Sequence, residues 1–216
     1  MARLLVLLLL LAGTAGATDP DQRADQLEVL LPPPARRGVE PPSIRSVGLL
    51  VDGRTRDLLH HGFPARMHYK VELWSTAGWF DKMLQRREWD VIVRYVPLDR
   101  RYVVTRLEGE TITTLGTFEE LAKVQALLDA PYQPPLRAAP PGDRVYYNAE
   151  LEVEMMSVND LDELERWLRG ELRPAARGER NPGTAVTRGV RSLVIRLLGS
   201  ENRRYQARSR TFRAAG

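Results

Sequence analysis

Arg66-Met67-His68-Tyr69-Lys70-Val71-Glu72-Leu73-Trp74 is the stretch from which the fold can be read. Met67, Tyr69, Val71 and Leu73 alternate with Arg66, His68, Lys70 and Glu72. That period of two sends successive side chains to opposite faces of a strand. One face is apolar and the other charged, the pattern of an antiparallel sheet packed on one side and wetted on the other. The alternation recurs over 145–155, with Val145, Tyr147, Ala149, Leu151, Val153 and Met155 in phase, and over 89–95 with Trp89, Val91, Val93 and Tyr95. Further strands are expected at 47–51 (Val47, Leu49 and Val51 in phase), 101–107, 111–115 and, in the basic tail, 203–212.

Helix signals lie between these runs. Asp52 is placed to cap a short helix through Leu59, closed by Gly62. Thr117-Phe118-Glu119-Glu120 reads as a capping box opening a helix to Leu128, with Phe118, Leu121, Val124 and Leu128 on one stripe. Leu161, Leu164 and Leu168 mark a third helix ended by Gly170, and Val186, Val190, Leu193, Val194 and Leu197 a fourth stopped by Gly199. About seven strands and three to four helices, with strands in runs joined by short turns, predict a mostly β, α+β fold. Its architecture is expected to be an antiparallel β-sandwich-like sheet or curved meander with peripheral helices.

The ends carry different information. Arg3, the apolar run Leu4 to Leu11 and the small residues Ala15-Gly16-Ala17 have the three parts of a cleavable signal peptide over residues 1–17. The mature chain is therefore expected to be exported, periplasmic or secreted, with no transmembrane helix after cleavage. No cysteine is present, which excludes disulfides, thiolate metal sites and lipoprotein acylation. Residues 18–42, with Pro32, Pro33, Pro34, Pro41 and Pro42, read as a proline-rich disordered linker. Residues 43–216 then form a single β-rich domain whose last section, 184–213, is a basic helix plus strand. The pI near 9.6 would suit nucleic acid, but an exported protein rarely meets it, so no nucleic-acid partner is expected. Eleven arginines against two acids from Arg173 onward leave the rest of the mature chain acidic, so the molecule is electrically lopsided.

Several motifs together resemble a known family. Leu58-Leu59, Gly62-Phe63-Pro64, Tyr69-Lys70-Val71-Glu72-Leu73-Trp74, Gly78-Trp79-Phe80-Asp81, Val93-Arg94-Tyr95 and Arg101-Tyr102-Val103-Val104 look like the bacterial domain of unknown function 4390. The likeness runs roughly from Ser43 to Leu168. It implies a periplasmic, mostly β protein of the kind sometimes called proline-rich signal-peptide proteins, with no established activity. Members often stand beside membrane sensor kinases, which implies an envelope accessory. The C-terminus departs from the family pattern, since Met155-Met156-Ser157 leads into an acidic helix and the end is rich in arginine.

Candidate chemistry is sparse. His60, His61 and His68 are the only imidazoles, and neither their spacing nor their phase makes a zinc site; no metal and no cofactor is expected. There is no Gly-x-Ser-x-Gly elbow and no His-Glu-x-x-His helix. Glu150, Glu152 and Glu154 line one face of a strand, ~7 Å apart, a spacing compatible with glycosidase carboxylates or calcium. Cross-strand pairing with Arg66, His68, Lys70, Arg204, Arg208 or Arg210 is the competing and preferred reading. Trp74, Trp79 and Phe80 cluster at one turn with Trp89 nearby, as a binding platform or, the preferred reading, as a plug of the core, and Trp74, in phase with the polar face, is the one expected to be exposed. Arg203, Arg204, Arg208 and Arg210 are the candidate anion or partner contact. The expected function is a non-enzymatic binding or regulatory module contacting a membrane-associated protein, such as a sensor kinase, or an anionic lipid surface. A carrier of a small apolar ligand is the alternative, and an enzyme acting on glycans a third reading; the oligomeric state is not legible.

Overall fold

A computed structural model describes residues 26–76, 79–156 and 202–215. The signal sequence and the helices expected at 159–170 and 184–198 lie outside the described residues. Nine strands and two α-helices follow in the order β1 (Leu27–Leu30), β2 (Ser43–Ser46), α1 (Gly53–His60), β3 (Ala65–Ser75), β4 (Lys82–Val96), β5 (Arg101–Glu108), β6 (Thr111–Phe118), α2 (Leu121–Asp129), β7 (Arg144–Met155), β8 (Arg203–Arg208) and β9 (Phe212–Arg213). The protein is mostly β and antiparallel, as the alternation predicts.

Strands β3 to β6 form a meander, and β7 returns to the free side of β3, so the large sheet runs β6-β5-β4-β3-β7-β8, with β9 also on β7. β3 is thus the centre. Its register places Met67, Tyr69, Val71 and Leu73 level with Val153, Leu151, Ala149 and Tyr147 of β7. Met67, Val71 and Leu73 are fully buried, as are Val93 of β4 and Val104 of β5. The separate β1–β2 ribbon and both helices supply Leu27, Ile44, Leu59, Val124 and Leu128 to the same core. The large sheet therefore has one packed face, and the charged residues of β3 are on the other.

Four expectations need correction. The proline-rich segment is ordered from Gln26 onward. Leu27, 1% exposed, enters the core, β1 pairs with β2, and Glu28 meets Arg45 across them. The prolines shape a short 3-10 turn, Pro34–Arg36, and two later segments fasten the residues after it: Ala215 N–H donates to the Arg37 carbonyl and Ala139 N–H to that of Gly38. Gly38, at φ +85°, sits so close to Ala214 that a Cβ there would come within 2.6 Å of the alanine methyl. Segment 47–51 is a turn rather than a strand. Leu49 and Leu50 are consecutive and both buried, which no alternating strand allows, and the Gly48 and Leu50 N–H groups donate to Asp129 and Gln125 of α2. The third correction concerns Thr117. β6 runs on through Phe118, paired with Tyr102, so α2 starts at Leu121 with Glu120 as an N-cap that makes no side-chain cap bond. Finally, Trp74 is half-buried, because Tyr146 of β7 stacks on it, 6.4 Å between centroids and 5° from parallel.

Candidate functional site

Two regions carry the chemistry, both set by the β3 register. The first is the end of the sheet where β3 turns into β4. Trp79 is 100% exposed and Phe80 89%, on the turn between two strands whose register shifts at a bulge between Leu73 and Trp74. Adjacent strands bring cations to the same end. Lys82 lies across from Ser75, Arg144 across from Arg213, and Arg208 beside Tyr146, with Arg210 on the loop between β8 and β9; all five are exposed. The Arg208 guanidinium lies 3.7 Å over the Tyr146 ring, so Arg208, Tyr146 and Trp74 form one stack. The Tyr146 hydroxyl donates to Asp81 at 2.9 Å, tying the aromatic turn to β7. Burial, and that bond to a carboxylate, raise the Tyr146 phenol above its ordinary value.

The second region is the charged face of β3, β4 and β7. Arg66, 5% exposed, donates Nε to Asp90 and Nη1 to Glu154, both at 2.9 Å. His68 Nδ1 lies 2.9 Å from the same Asp90 oxygen. Glu72 accepts from Arg86 and from the Trp74 indole, Lys70 reaches Glu150 at 2.5 Å, and Arg204 reaches Glu152 at 3.1 Å. The result is a lattice of alternating sign across four strands. The two carboxylates on Arg66 respond oppositely. Burial pushes Asp90 up, but the His68 bond and the Arg66 charge outweigh it and hold Asp90 below its ordinary value. At Glu154 burial wins over the attraction of Arg66, and the group is raised. Among the described residues Arg66 Nη2 is buried without a hydrogen-bond partner, and Ile92 and Met156 are buried together beside this end of the lattice.

A family model described as a domain of unknown function (DUF4390) matches residues 48–171. The chain belongs to the DUF4390 family. No curated protein and no solved structure matches it. The matched segment holds the Trp79-Phe80 turn and the lattice strands β3, β4 and β7, whereas the β8 arginines lie beyond it.

The four arginines singled out in the DUF4390 chain do not act as one patch. Alternation along β8 puts Arg203 on the packed side, where it pairs with Asp52 at 3.0 Å and donates to Leu49 and Thr55. Arg204 is engaged by Glu152, while Arg208 and Arg210 join the aromatic end. Of the aromatic candidates, Trp79 and Phe80 are exposed, and Trp89 is core, stacked on Tyr69 at 5.0 Å. Each carboxylate of the Glu150–Glu152–Glu154 stripe faces a cation, as cross-strand pairing predicts. His60 bonds Tyr102 and His61 bonds the Asp57 carbonyl, so the three imidazoles have separate partners. Among the described residues no cluster of histidine and acids is disposed to hold a metal, and no helix is long and apolar enough to cross a membrane.

A cleft lined by Ser46, Tyr69, Trp89, Arg106 and Tyr132 lies between the sheet and α2, with a volume near 50 Å³. Drug-sized ligands occupy roughly 300 Å³ or more, so it has room for water rather than a lipid chain. Sequence reasoning missed Lys82, Arg144 and Arg213 as companions of Arg208. Their signal appears only once hairpin register shows that they share an end. Asp90 was recoverable, since it falls in the polar phase of a strand whose other phase is Trp89, Val91 and Val93.

Proposed function

We propose that this DUF4390 protein is an exported, non-enzymatic accessory of the cell envelope that docks on an anionic lipid surface through the aromatic end of its sheet. The observation that carries the reading is the exposure of Trp79 and Phe80 beside five cations. Monomeric soluble surfaces rarely leave two large aromatics fully in water side by side. Tryptophan partitions to the headgroup level of a bilayer, where its ring is half in hydrocarbon and its N–H stays wet. Each Lys or Arg near an anionic surface adds on the order of 1 kcal/mol, and Lys82, Arg144, Arg208, Arg210 and Arg213 outnumber Asp81 and Asp143. The non-enzymatic part is supported by the carboxylates: those placed for acid–base work are engaged by Lys70, Arg66 and Arg204.

Sedimentation of the full chain with vesicles tests this. Binding to vesicles rich in phosphatidylglycerol is expected, with little binding to phosphatidylcholine alone. Replacing Trp79 and Phe80 by Ala should weaken it at least tenfold, on the order of 1.4 kcal/mol. The Arg208→Glu, Arg210→Glu pair should remove its dependence on anionic lipid. Equal partition to both vesicle types, or binding indifferent to these variants, would overturn the reading.

A further inference from the structure

The two edges of the large sheet are built differently. β8 carries Arg203, Arg204 and Arg208 in six residues, the charged protection common on edge strands. β6, Thr111-Ile112-Thr113-Thr114-Leu115-Gly116-Thr117-Phe118, has no charged residue in eight. Four of them are threonine, a residue that favours the pleated backbone, and positions 111–114 are all exposed, Ile112 at 40%. Its inner side pairs with β5, and among the described residues no other segment hydrogen-bonds to it. Among the described residues the outer row of N–H and C=O groups is therefore open over the first half of the strand. A bulge at Leu115, opposite Val104 and Thr105, bends only the second half. At Gly116 the Phe118 ring occupies the place of the missing side chain, since a Cβ there would come within 2.5 Å of it.

We infer that β6 is a strand-addition site: it takes an extended segment of a partner protein, alternating in uncharged β-forming residues and basic at its two ends. Backbone hydrogen bonds along an open edge give such pairing its affinity, and the flanking side chains give its specificity. The charges around β6 select the occupant. Glu110 precedes the strand and Glu119 follows it, the latter 73% exposed and paired with Arg101 at the surface. A second copy of β6 in the antiparallel register Thr111 to Phe118 would set Glu110 against Glu119 twice, and like charges directly opposite oppose pairing. A segment ending in Lys or Arg meets an acid at each end instead. This site is separate from the aromatic end, so it stands or falls independently of the lipid-docking proposal.

The test is selection of a displayed random dodecapeptide library on the full chain, followed by binding of the best synthetic peptide. Enriched peptides should carry alternating Val, Ile or Thr with Lys or Arg at the ends. The best peptide should slow amide exchange across 111–118. Ile112→Lys, at an exposed position that should not disturb folding, should weaken it tenfold or more. Exchanging both acids, Glu110→Lys with Glu119→Lys, should turn the preference toward acidic ends while leaving vesicle binding intact. An absence of enrichment, peptides of another pattern, or protection elsewhere on the sheet would overturn the proposal. So would a concentration-dependent dimer that Ile112→Lys dissolves, which would assign the edge to a second copy.

Discussion

Strands β3, β4 and β7 present two faces made of alternate residues of the same segments, and the two are buried by different physics. On one face Met67, Val71, Leu73, Tyr147 and Leu151 interlock with helices and the β1–β2 ribbon, and removal from water supplies the stabilisation. On the other, Arg66 and Glu72 are buried nearly as deeply, 5% exposed each, because each meets opposite charge on a neighbouring strand. A buried ion pair returns little net stability, since desolvation consumes most of the attraction, yet losing one member is costly. The apolar face thus holds the fold together, while the charged face ties neighbouring strands through pairs of opposite sign. A two-residue slip of β7 that set Met156 against Arg66 would also set Glu150 against Glu72, like charge against like.

Three measurements break or sharpen that contrast. The largest loss is expected for Tyr147→Ala. Tyr147 is 1% exposed and stacks on Phe212 at 5.9 Å, so truncation opens a cavity and costs about 4 kcal/mol in urea unfolding. A loss under about 1 kcal/mol would mean that this face is not the principal core. Next comes Arg66→Met, expected to cost about 3 kcal/mol because Glu154 is left buried and unpaired and Asp90 keeps only His68. Adding Asp90→Leu and Glu154→Leu to it should recover most of that loss; a triple variant as unstable as the single would show the lattice to be a net source of stability.

The smallest effect is in pH dependence. Asp90 is held below its ordinary value in the folded state, so its contribution is present above pH 3.8 and is lost as pH falls through the lowered value. Glu154 is raised, so its contribution has the opposite sign: it is full below pH 4.5 and fades as pH rises through the folded value. Urea midpoints measured from pH 3 to 6 should therefore flatten on the acid side in Asp90→Asn. In Glu154→Gln the gain on acidification toward pH 4.5 should disappear. Parallel profiles for both variants would show that Arg66 does not divide its carboxylates this way.

The strand signals that succeeded were local ones. Alternation over 66–74 and 145–155 marked both strands and assigned each residue to its face, because strand geometry is written into successive residues. It also foretold that Glu150, Glu152 and Glu154 would meet basic neighbours. The errors came where a distant segment overrode a local cue. Leu27 to Leu31 is too short and too hemmed by proline to announce a strand, and it becomes one by packing on β7 and β8. Thr117 offers a good cap, but Tyr102 of β5 claims Phe118 for the sheet. Trp74 has the phase of an exposed residue until Tyr146 stacks on it, while Trp79 and Phe80, with no strand neighbour to cover them, stand in water.

What the sequence determined by itself is what depends on neighbours along the chain: the β class, the faces of each long strand, the absence of thiol chemistry and the uneven distribution of charge. Tertiary structure alone decided which strands lie side by side, and with that which charges cancel and which do not. Arg203 and Arg204 are adjacent in sequence, yet one is bound to Asp52 on the packed side and the other to Glu152 on the charged side. Lys82, Arg144 and Arg213 are far apart in sequence and share one end of the sheet with Trp79 and Phe80. The physical reason is register: the hydrogen-bond ladder joins residues far apart in the chain, such as Arg66 and Glu154, 88 positions apart, and no local pattern encodes the partner's position.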